Sequence, residues 1–388
     1  LVVNASSFIS HKLRFQGRIA VVTIAIASFI MILSVAVSSG FRKELRNGIA
    51  SISGDIRLTS PDLNYINESS PIRSDASYMA SLDSLEEISS IVPAIYRAGI
   101  VKNGSNIHGV LFKGTPDGGD SLQVSVPRRL ADILGLNEGD GLTAYFVGEK
   151  VKARKFHVKS VYQDILGNDD KLVVYAGLSD LQRLNGWQSN EVSAIEIQLK
   201  DKYRSRDMMR EMTQEVGAKV LFNTPEDEDT VVASSALNMY PEVFSWLDLI
   251  DFNVLFVLIL MTIVAGFNMI SALLIMLFRN IPVIGLLKSL GMTDRSIASV
   301  FLRTSSSVVL KGMAAGNILA FLFCVIQNAT HVIGLDPENY FVSFVPVNIN
   351  VLQVLAADVV SYLVIMLLLL LPCLFISGVD PAKNVRAQ

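Results

Sequence analysis

Residues 252–278 read FNVLFVLILMTIVAGFNMISALLIMLF, with Asp251 before them, Arg279 after them and no charge between. Inside hydrocarbon, backbone N–H and C=O groups are satisfied only in a helix or a closed barrel. A helix rises 1.5 Å per residue, and about 20 apolar residues cross a bilayer core. The stretch is therefore expected to span a membrane as one helix. Three others share its character: 19–41 between Arg18 and Arg42, 312–335 between Lys311 and Asp336, and 359–379 between Asp358 and Asp380. The first ends in Ser38, Ser39 and Gly40, in the manner of a cleavage site. It exceeds the roughly 7–15 apolar residues of a signal peptide, so it is read as a retained span.

Charge orients the spans. His11, Lys12, Arg14 and Arg18 precede the first, with no acid among them. Between the second and third lie Arg279, Lys288, Arg295 and Arg303 against Asp294 alone, and the tail carries Lys383 and Arg386. The 336–350 loop holds Asp336 and Glu338 and no Lys or Arg. The positive-inside rule then puts both termini and the 279–303 loop in the cytoplasm. The expected layout is an interfacial helix at 1–17 (Phe8, Ile9, Leu13 and Phe15 among the cations), transmembrane helices at 18–41, 249–278, 301–335 and 351–379, an outer domain at 42–248, a cytoplasmic loop at 279–300, an outer loop at 336–350 and a tail at 380–388.

The fold class is thus a membrane protein with four transmembrane helices, one plus three, and a large α+β domain inserted between helices 1 and 2. The net charge of −3 hides a division. Residues 42–251 carry 23 Lys/Arg against 31 Asp/Glu, and the rest of the chain 10 against 5. No basic stripe is interleaved with aromatics, so no nucleic acid partner is expected. Cys324 and Cys373, the two cysteines, fall in apolar runs and do not staple the inserted domain.

In that domain, alternation predicts strands near 56–58, 122–126, 142–147, 156–162, 172–175 and 192–199. In the last, Ile195, Ile197 and Leu199 share one face, with Glu196 and Gln198 on the other. Pro127 and Gly135 bracket a helix with Leu130, Ile133 and Leu134 on one face. Further helices are expected near 78–91, 178–184 and 203–216. The acidic run Glu226, Asp227, Glu228, Asp229 reads as a solvated loop, and His108 and His157 stand without metal-ligand neighbours.

Sequence signatures of catalysis are missing: no G-x-x-x-x-G-K-[ST], H-E-x-x-H, C-x-x-C or G-x-S-x-G occurs. The chain is expected to be non-catalytic, with no metal site and no cofactor of its own. Ionisable residues touch the spans only near their ends, at Lys311, His331 and Asp358, which argues against an ion or proton pathway.

The segment 279–302, RNIPVIGLLKSLGMTDRSIASVFL, is too apolar for a plain connector. Pro282 suits a first helical turn, Ile284, Leu287 and Leu290 recur at helical spacing, and Gly291 can end the helix. Thr293 and Asp294 cap the next helix. A short apolar helix on the cytoplasmic face offers a handle to another protein or packs on lipid.

Here the sequence resembles the FtsX/MacB-type permeases of ABC transporters, and within them the lipoprotein-releasing (Lol) type. "IGLLKSLGMTDRSI" is similar to their I-G-x-L-K/R-A-x-G loop, and "VAGFNMISALLIMLFRN" to the end of their second span. "VSVPRRLADILGLNEGDGLTAYF" and "ARKFHVKSVYQ" resemble their strand-helix-strand unit, and "YFVSFVPVNIN" the lead into their last span. The resemblance covers essentially the whole chain. It implies a multi-pass protein of the bacterial inner (cytoplasmic) membrane with its large domain periplasmic. It implies a separate ABC ATPase subunit that binds ATP and Mg, a second permease copy or paralogue, a lipoprotein substrate drawn from membrane lipid, and a periplasmic lipoprotein carrier.

On this pattern Ile284, Gly285, Leu286, Leu287, Lys288, Ser289, Leu290 and Gly291 would sit in the ATPase. Phe29, Ile30 and Leu33 of the first span, with Phe256, Leu260, Val264 and Phe267 of the second, would line an acyl-chain cavity. Gly312 and Gly316 form a G-x-x-x-G for helix packing, within the bundle or between permeases. Two departures stand out. Val283 occupies a place often acidic in the family, and only GEKVKA (148–153) precedes the strand where a carrier-recruiting paralogue has a long loop. Two other functions fit the topology: a MacB-like mechanotransmission exporter of small molecules or peptides, and an FtsX-like regulator of a cell-wall hydrolase. The exporter type usually carries a fused N-terminal ATPase, for which the stretch before Arg18 is too short.

Overall fold

The computed structural model describes residues 18–66, 70–148, 150–163, 172–225, 228–336, 340 and 342–373. The expected interfacial helix at 1–17, the tail at 380–388, Glu149, Glu226, Asp227 and Glu338 lie outside them. The chain forms two compact units: Leu1–Lys43 with Trp246–Gly334 and Phe344–Gln388, and Glu44–Ser245 with Leu335–Ser343.

Helix α1 (Arg18–Ser53) outlasts the boundary expected at 41. No Pro follows Phe41 within the helix, which runs on through Asn47-Gly48, and Gly54 with a φ of +71° ends it. The second unit then runs β1 (Ile56–Thr59), β2 (Ile72–Arg73), α2 (Met79–Asp83), β3 (Ile88–Asn103), β4 (Asn106–Thr115), β5 (Gln123–Pro127), α3 (Arg128–Leu134), β6 (Gly141–Phe146), β7 (Lys152–Tyr162), β8 (Val173–Gly177), α4 (Leu178–Asn185), β9 (Glu191–Val192), β10 (Ala194–Leu199), α5 (Arg206–Asn223), β11 (Val232–Ser235) and α6 (Ala236–Met239).

The main sheet has the order β11-β1-β10-β3-β4-β8-β5-β7-β6, and β6 pairs again with β3. Strands β3-β4-β8-β5-β7-β6 therefore close into a barrel, while the first half of β3 continues as an open sheet with β10, β1 and β11. Phe112, Phe146 and Phe156 fill the barrel, with ring centroids 4.9, 5.5 and 6.5 Å apart. Gly99 of β3 leaves these rings room, since a Cβ there would lie 3.0 Å from Phe146 and 3.1 Å from Phe112.

Two expectations are corrected. The helix expected near 78–91 is only the short α2, and β3 begins at Ile88. Leu82, Leu85, Ile88 and Ile91 fall at helical spacing, but pairing with β10 and β4 overrides it. Glu196, on the face of β10 opposite Ile195 and Ile197, is buried at 3% exposure because β10 lies between β1 and β3. Ile133 of α3 is exposed, while Leu130, Ala131 and Leu134 are buried.

The other unit contains the first part of α1, then α7 (Pro241–Arg279), α8 (Ile281–Ser289), α9 (Asp294–Thr330), α10 (Val351–Leu368) and α11 (Leu370–Cys373). Among the described residues, four helical segments are long and apolar enough to cross a membrane: α1, α7, α9, and α10 continued to Cys373. Helix α7 starts before the expected 249, and α9 starts at Asp294 rather than 301 and ends before 335. The core joins Ile24 and Ala27 of α1 to Met269 and Leu273 of α7, Phe301 and Val309 of α9 and Ile365 of α10. Gly312 and Gly316 let α1 approach α9. A Cβ on Gly312 would lie 2.7 Å from that of Ile24, and one on Gly316 would lie 2.5 Å from the Ala25 carbonyl oxygen.

Candidate functional site: the α8 hairpin and its surroundings

Helix α8 is short because punctuation surrounds it. Pro282 occupies its first turn, and Gly291 takes a φ of +86° to reverse the chain. Thr293 then caps α9 by accepting from the Ser296 N–H at 3.4 Å. Lys288, in the last turn of α8, reaches Asp294 in the first turn of α9 at 2.9 Å. Each charge also complements its own helix dipole, a cation at a C-terminus and an anion at an N-terminus. The Ser289 hydroxyl donates back to the Gly285 carbonyl at 3.0 Å.

The hairpin divides the eight expected coupling residues between two faces. Ile284 is 1% exposed and Gly285 is buried, with Leu287 and Met292 packed against the same core as Phe301. Ile284 and Gly285 thus face the bundle. Leu287 and Lys288 are half-buried. The outward face is Pro282, Val283, Leu286, Ser289, Leu290 and Gly291, with Leu286 59% and Leu290 74% exposed. The short helix thus carries two large exposed aliphatic side chains and is fixed at both ends by its turn and cap contacts.

Of the residues expected to line an acyl cavity, Phe256, Leu260, Val264 and Phe267 form one exposed stripe on α7. Their spacing of three and four residues turns them away from the buried Ala265, Met269 and Leu273. Phe29, Ile30 and Leu33 are half-buried on α1, and Phe29 sits edge-on to Phe323 of α9 at 6.1 Å.

Sequence reasoning missed two polar clusters. Asp358 lies within α10, which begins at Val351. Ser28 donates to Asn317 at 2.8 Å, and Asn317 donates to Asp358 at 2.6 Å, so hydrogen bonds link α1, α9 and α10. Asn317 in an otherwise uncharged run was the available signal.

The second cluster holds the end of α1 inside its own unit. Lys113 Nζ lies 2.8 Å from Glu196 Oε2 and donates to the Ser51 and Ile52 carbonyls at 3.0 and 2.8 Å. Tyr96 donates to Ile52 at 2.9 Å and is hydrogen-bonded to Glu196. Burial pushes the Lys113 amine down, with Glu196 opposing the shift, and holds the Tyr96 phenol well above its ordinary range. Among the described residues, no group of three or more His, Cys, Asp or Glu is arranged to hold a metal.

Residues 255–381 match the FtsX-like permease C-terminal family. The chain is similar to the lipoprotein-releasing system transmembrane protein LolC of Xylella fastidiosa (strain 9a5c), 20% identical over 404 residues that cover 96% of this chain and 94% of that protein. It is likewise similar to the lipoprotein-releasing system transmembrane protein LolE of Haemophilus influenzae, 21% identical over 407 residues with the same coverage. Among solved structures, the periplasmic region of MacB from Actinobacillus actinomycetemcomitans aligns with a TM-score of 0.31 and 13% identity, covering 50% of this chain and 95% of that one. The extracellular domain of the ABC-type transporter YknZ from Gram-positive bacteria aligns with a TM-score of 0.31 and 11% identity, covering 46% and 99%. The chain thus has four helices of membrane-spanning character among its described residues, a C-terminal part similar to the FtsX-like permeases, and similarity to Lol permeases over nearly its whole length.

Proposed function

We propose that this chain is the permease subunit of an ABC transporter of the bacterial inner membrane, in which a separate ATPase drives extraction of lipoproteins and their release to a periplasmic carrier. The observation that carries the reading is the outward apolar face of α8 between two spans, in a chain similar over 96% of its length to LolC.

The ATPase engages Leu286 and Leu290 from the cytoplasmic side, while Ile284 and the Lys288–Asp294 pair transmit displacement of α8 to α7 and α9. A second permease, a copy or a paralogue, completes the transporter. The exposed aromatic and aliphatic stripe on α7 receives the acyl chains. An energy source is required because each methylene moved from an apolar environment into water costs about 0.8 kcal/mol, and a lipoprotein carries several acyl chains. This chain binds no ATP; its part is to hold cargo and to convert movement at α8 into movement of the spans.

The reading is tested by reconstituting the permease with its ATPase in proteoliposomes loaded with a triacylated lipoprotein. Leu286→Asp and Leu290→Asp put a charge into an apolar contact, and the expected result is at least tenfold slower ATP-dependent release with the chain still folded and inserted. Release at the parental rate in both variants counts against docking at α8.

A further inference from the structure

Between α9 and α10, residues 345–350 form neither helix nor strand, yet Pro346 is buried and Val345 and Val347 are half-buried. Connecting segments ordinarily run over the surface, because buried backbone groups need partners. Here both flanks are tied. On the α9 side the Gln327 amide, 2% exposed, donates to the Ile333 and Val345 carbonyls at 3.2 and 3.1 Å and accepts from the Ile333 N–H at 3.1 Å. The Val345 N–H donates to the Ile333 carbonyl at 3.0 Å, and the His331 and Phe344 rings lie 4.1 Å apart. On the α10 side Asn350 caps the helix, accepting from the Leu352 and Gln353 N–H groups at 3.1 and 3.4 Å.

The middle of the segment crosses α1. The Asn348 N–H donates to the Ala36 carbonyl at 2.9 Å, and its side-chain amide donates to the Ser39 hydroxyl at 2.9 Å. A carbonyl has two lone pairs, so Ala36 can serve its own helix and the crossing segment together. Gly40 makes the crossing possible. A Cβ there would collide with the Pro346 carbonyl and lie 2.7 Å from the Val347 nitrogen, so a side chain at 40 would have to displace backbone. The same turns of α1 hold α7: Ser38 donates to Asp251 at 2.7 Å, Arg42 pairs with Asp251, and Phe41 stands edge-on to Trp246 at 5.5 Å.

Deeper in the bundle α1 meets α9 again, at Gly312 and Gly316 and through the Ser28–Asn317 bond. Helix α1 is therefore attached to the α9–α10 pair at two levels. One attachment would let it pivot; two do not, unless one set of contacts breaks. We propose that residues 345–350 are a strap that keeps α1 fastened to the outer ends of α9 and α10 through the whole transport cycle, so that α1 follows α9 when α8 is displaced. The cycle rests on the function proposed above; the strap's contacts do not. Space for cargo then opens between this chain and a second permease, not between α1 and α9 of one chain.

Spin labels at Lys43→Cys and Gln353→Cys, both exposed positions, report the distance between the outer ends of α1 and α10 in the full chain with Cys324 and Cys373 changed to serine. In nanodiscs without the ATPase the parental chain should give one narrow distance, and Gly40→Leu, which wedges the strap off α1, a broadened one. With the ATPase bound, the narrow distance should be the same without nucleotide and after trapping with ATP and vanadate. In proteoliposomes, Ser39→Cys with Asn348→Cys, joined by a short bifunctional methanethiosulfonate, should release lipoprotein within about twofold of its unbridged rate. Gly40→Leu should release it at least tenfold more slowly while still hydrolysing ATP.

A distance that shifts on trapping, or bridging that stops release until the bridge is reduced, makes the strap a latch that opens and overturns the proposal. Failure of the cysteine pair to bridge within one chain overturns it as well, and so does a Gly40→Leu variant with the parental distance and parental release. Where Gly40→Leu does not insert, the trapping and bridging arms decide. A parental chain that releases no lipoprotein with its ATPase counts against the transporter reading, and the strap is then judged on the distances.

Discussion

Replacing Lys113 with methionine removes the cation from a site where the paired side chains are 2% and 4% exposed. The Glu196 carboxylate is left buried with Tyr96 as its remaining partner, and the Ser51 and Ile52 carbonyls lose the amine. Breaking one side of a buried ion pair costs about 3–5 kcal/mol, whereas replacing both sides by apolar groups of similar volume is often near neutral. At 1.36 kcal/mol per tenfold, the single variant should open the sheet around β10 and the end of α1 roughly 10²- to 10⁴-fold more often. Hydrogen exchange of the amides in 44–53 and 194–199 reads this directly. Lys113→Met should accelerate them by about two orders of magnitude or more, and Lys113→Met with Glu196→Met should recover most of the protection. Acceleration below tenfold in the single variant, or no recovery in the double, refutes the claim that charge pairing holds α1 to this sheet.

In the membrane, Asp358→Asn preserves an acceptor for Asn317, and Asp358→Leu does not. The leucine variant should lose about 1–2 kcal/mol of bundle stability, seen as a smaller folded fraction after graded heating in detergent; equal behaviour of the two variants contradicts the polar link between α9 and α10. The Asp75 carboxyl, hydrogen-bonded by Arg73 and then by Asn190, is held down at about 2. Its folded value is depressed, so its stabilising effect is fully present above the ordinary 3.8 and is lost as pH falls from there toward 2. A carboxyl NMR titration should show a midpoint near 2 that rises in Arg73→Ala; a parental midpoint near 3.8 contradicts it.

The spans were legible because hydrocarbon leaves the backbone one local solution, and an uncharged run announces it. Their ends were less so: α1, α7 and α9 continue as helix through charged residues, and charge marks where helix leaves lipid, not where it stops. The barrel was half legible. Gly135, with φ of +63°, and Pro127 bracket α3 as expected, but the β3–β4 hairpin was hidden although Asn103 and Gly104 mark its turn. Strand β3 serves two sheets at once, so its faces change partners along its length and the alternation is lost.

At α8 the local signals, Pro282, Gly291 and Thr293, fixed the helix and its turn. Which side faced outward depended on α7 and α9: spacing groups Ile284, Leu287 and Leu290, and the structure buries Ile284 and exposes Leu286 and Leu290. Clusters such as Lys113 with Glu196, 83 residues apart in the chain, leave no local trace at all.

The most direct measurement places one cysteine at Leu286, with Cys324 and Cys373 changed to serine, and labels it with a membrane-impermeant maleimide. Labelling should occur in inside-out vesicles and not in intact spheroplasts, and bound ATPase should protect the position. Labelling from the outer side, or full reactivity with the ATPase bound, would contradict α8 as the handle through which this permease is driven.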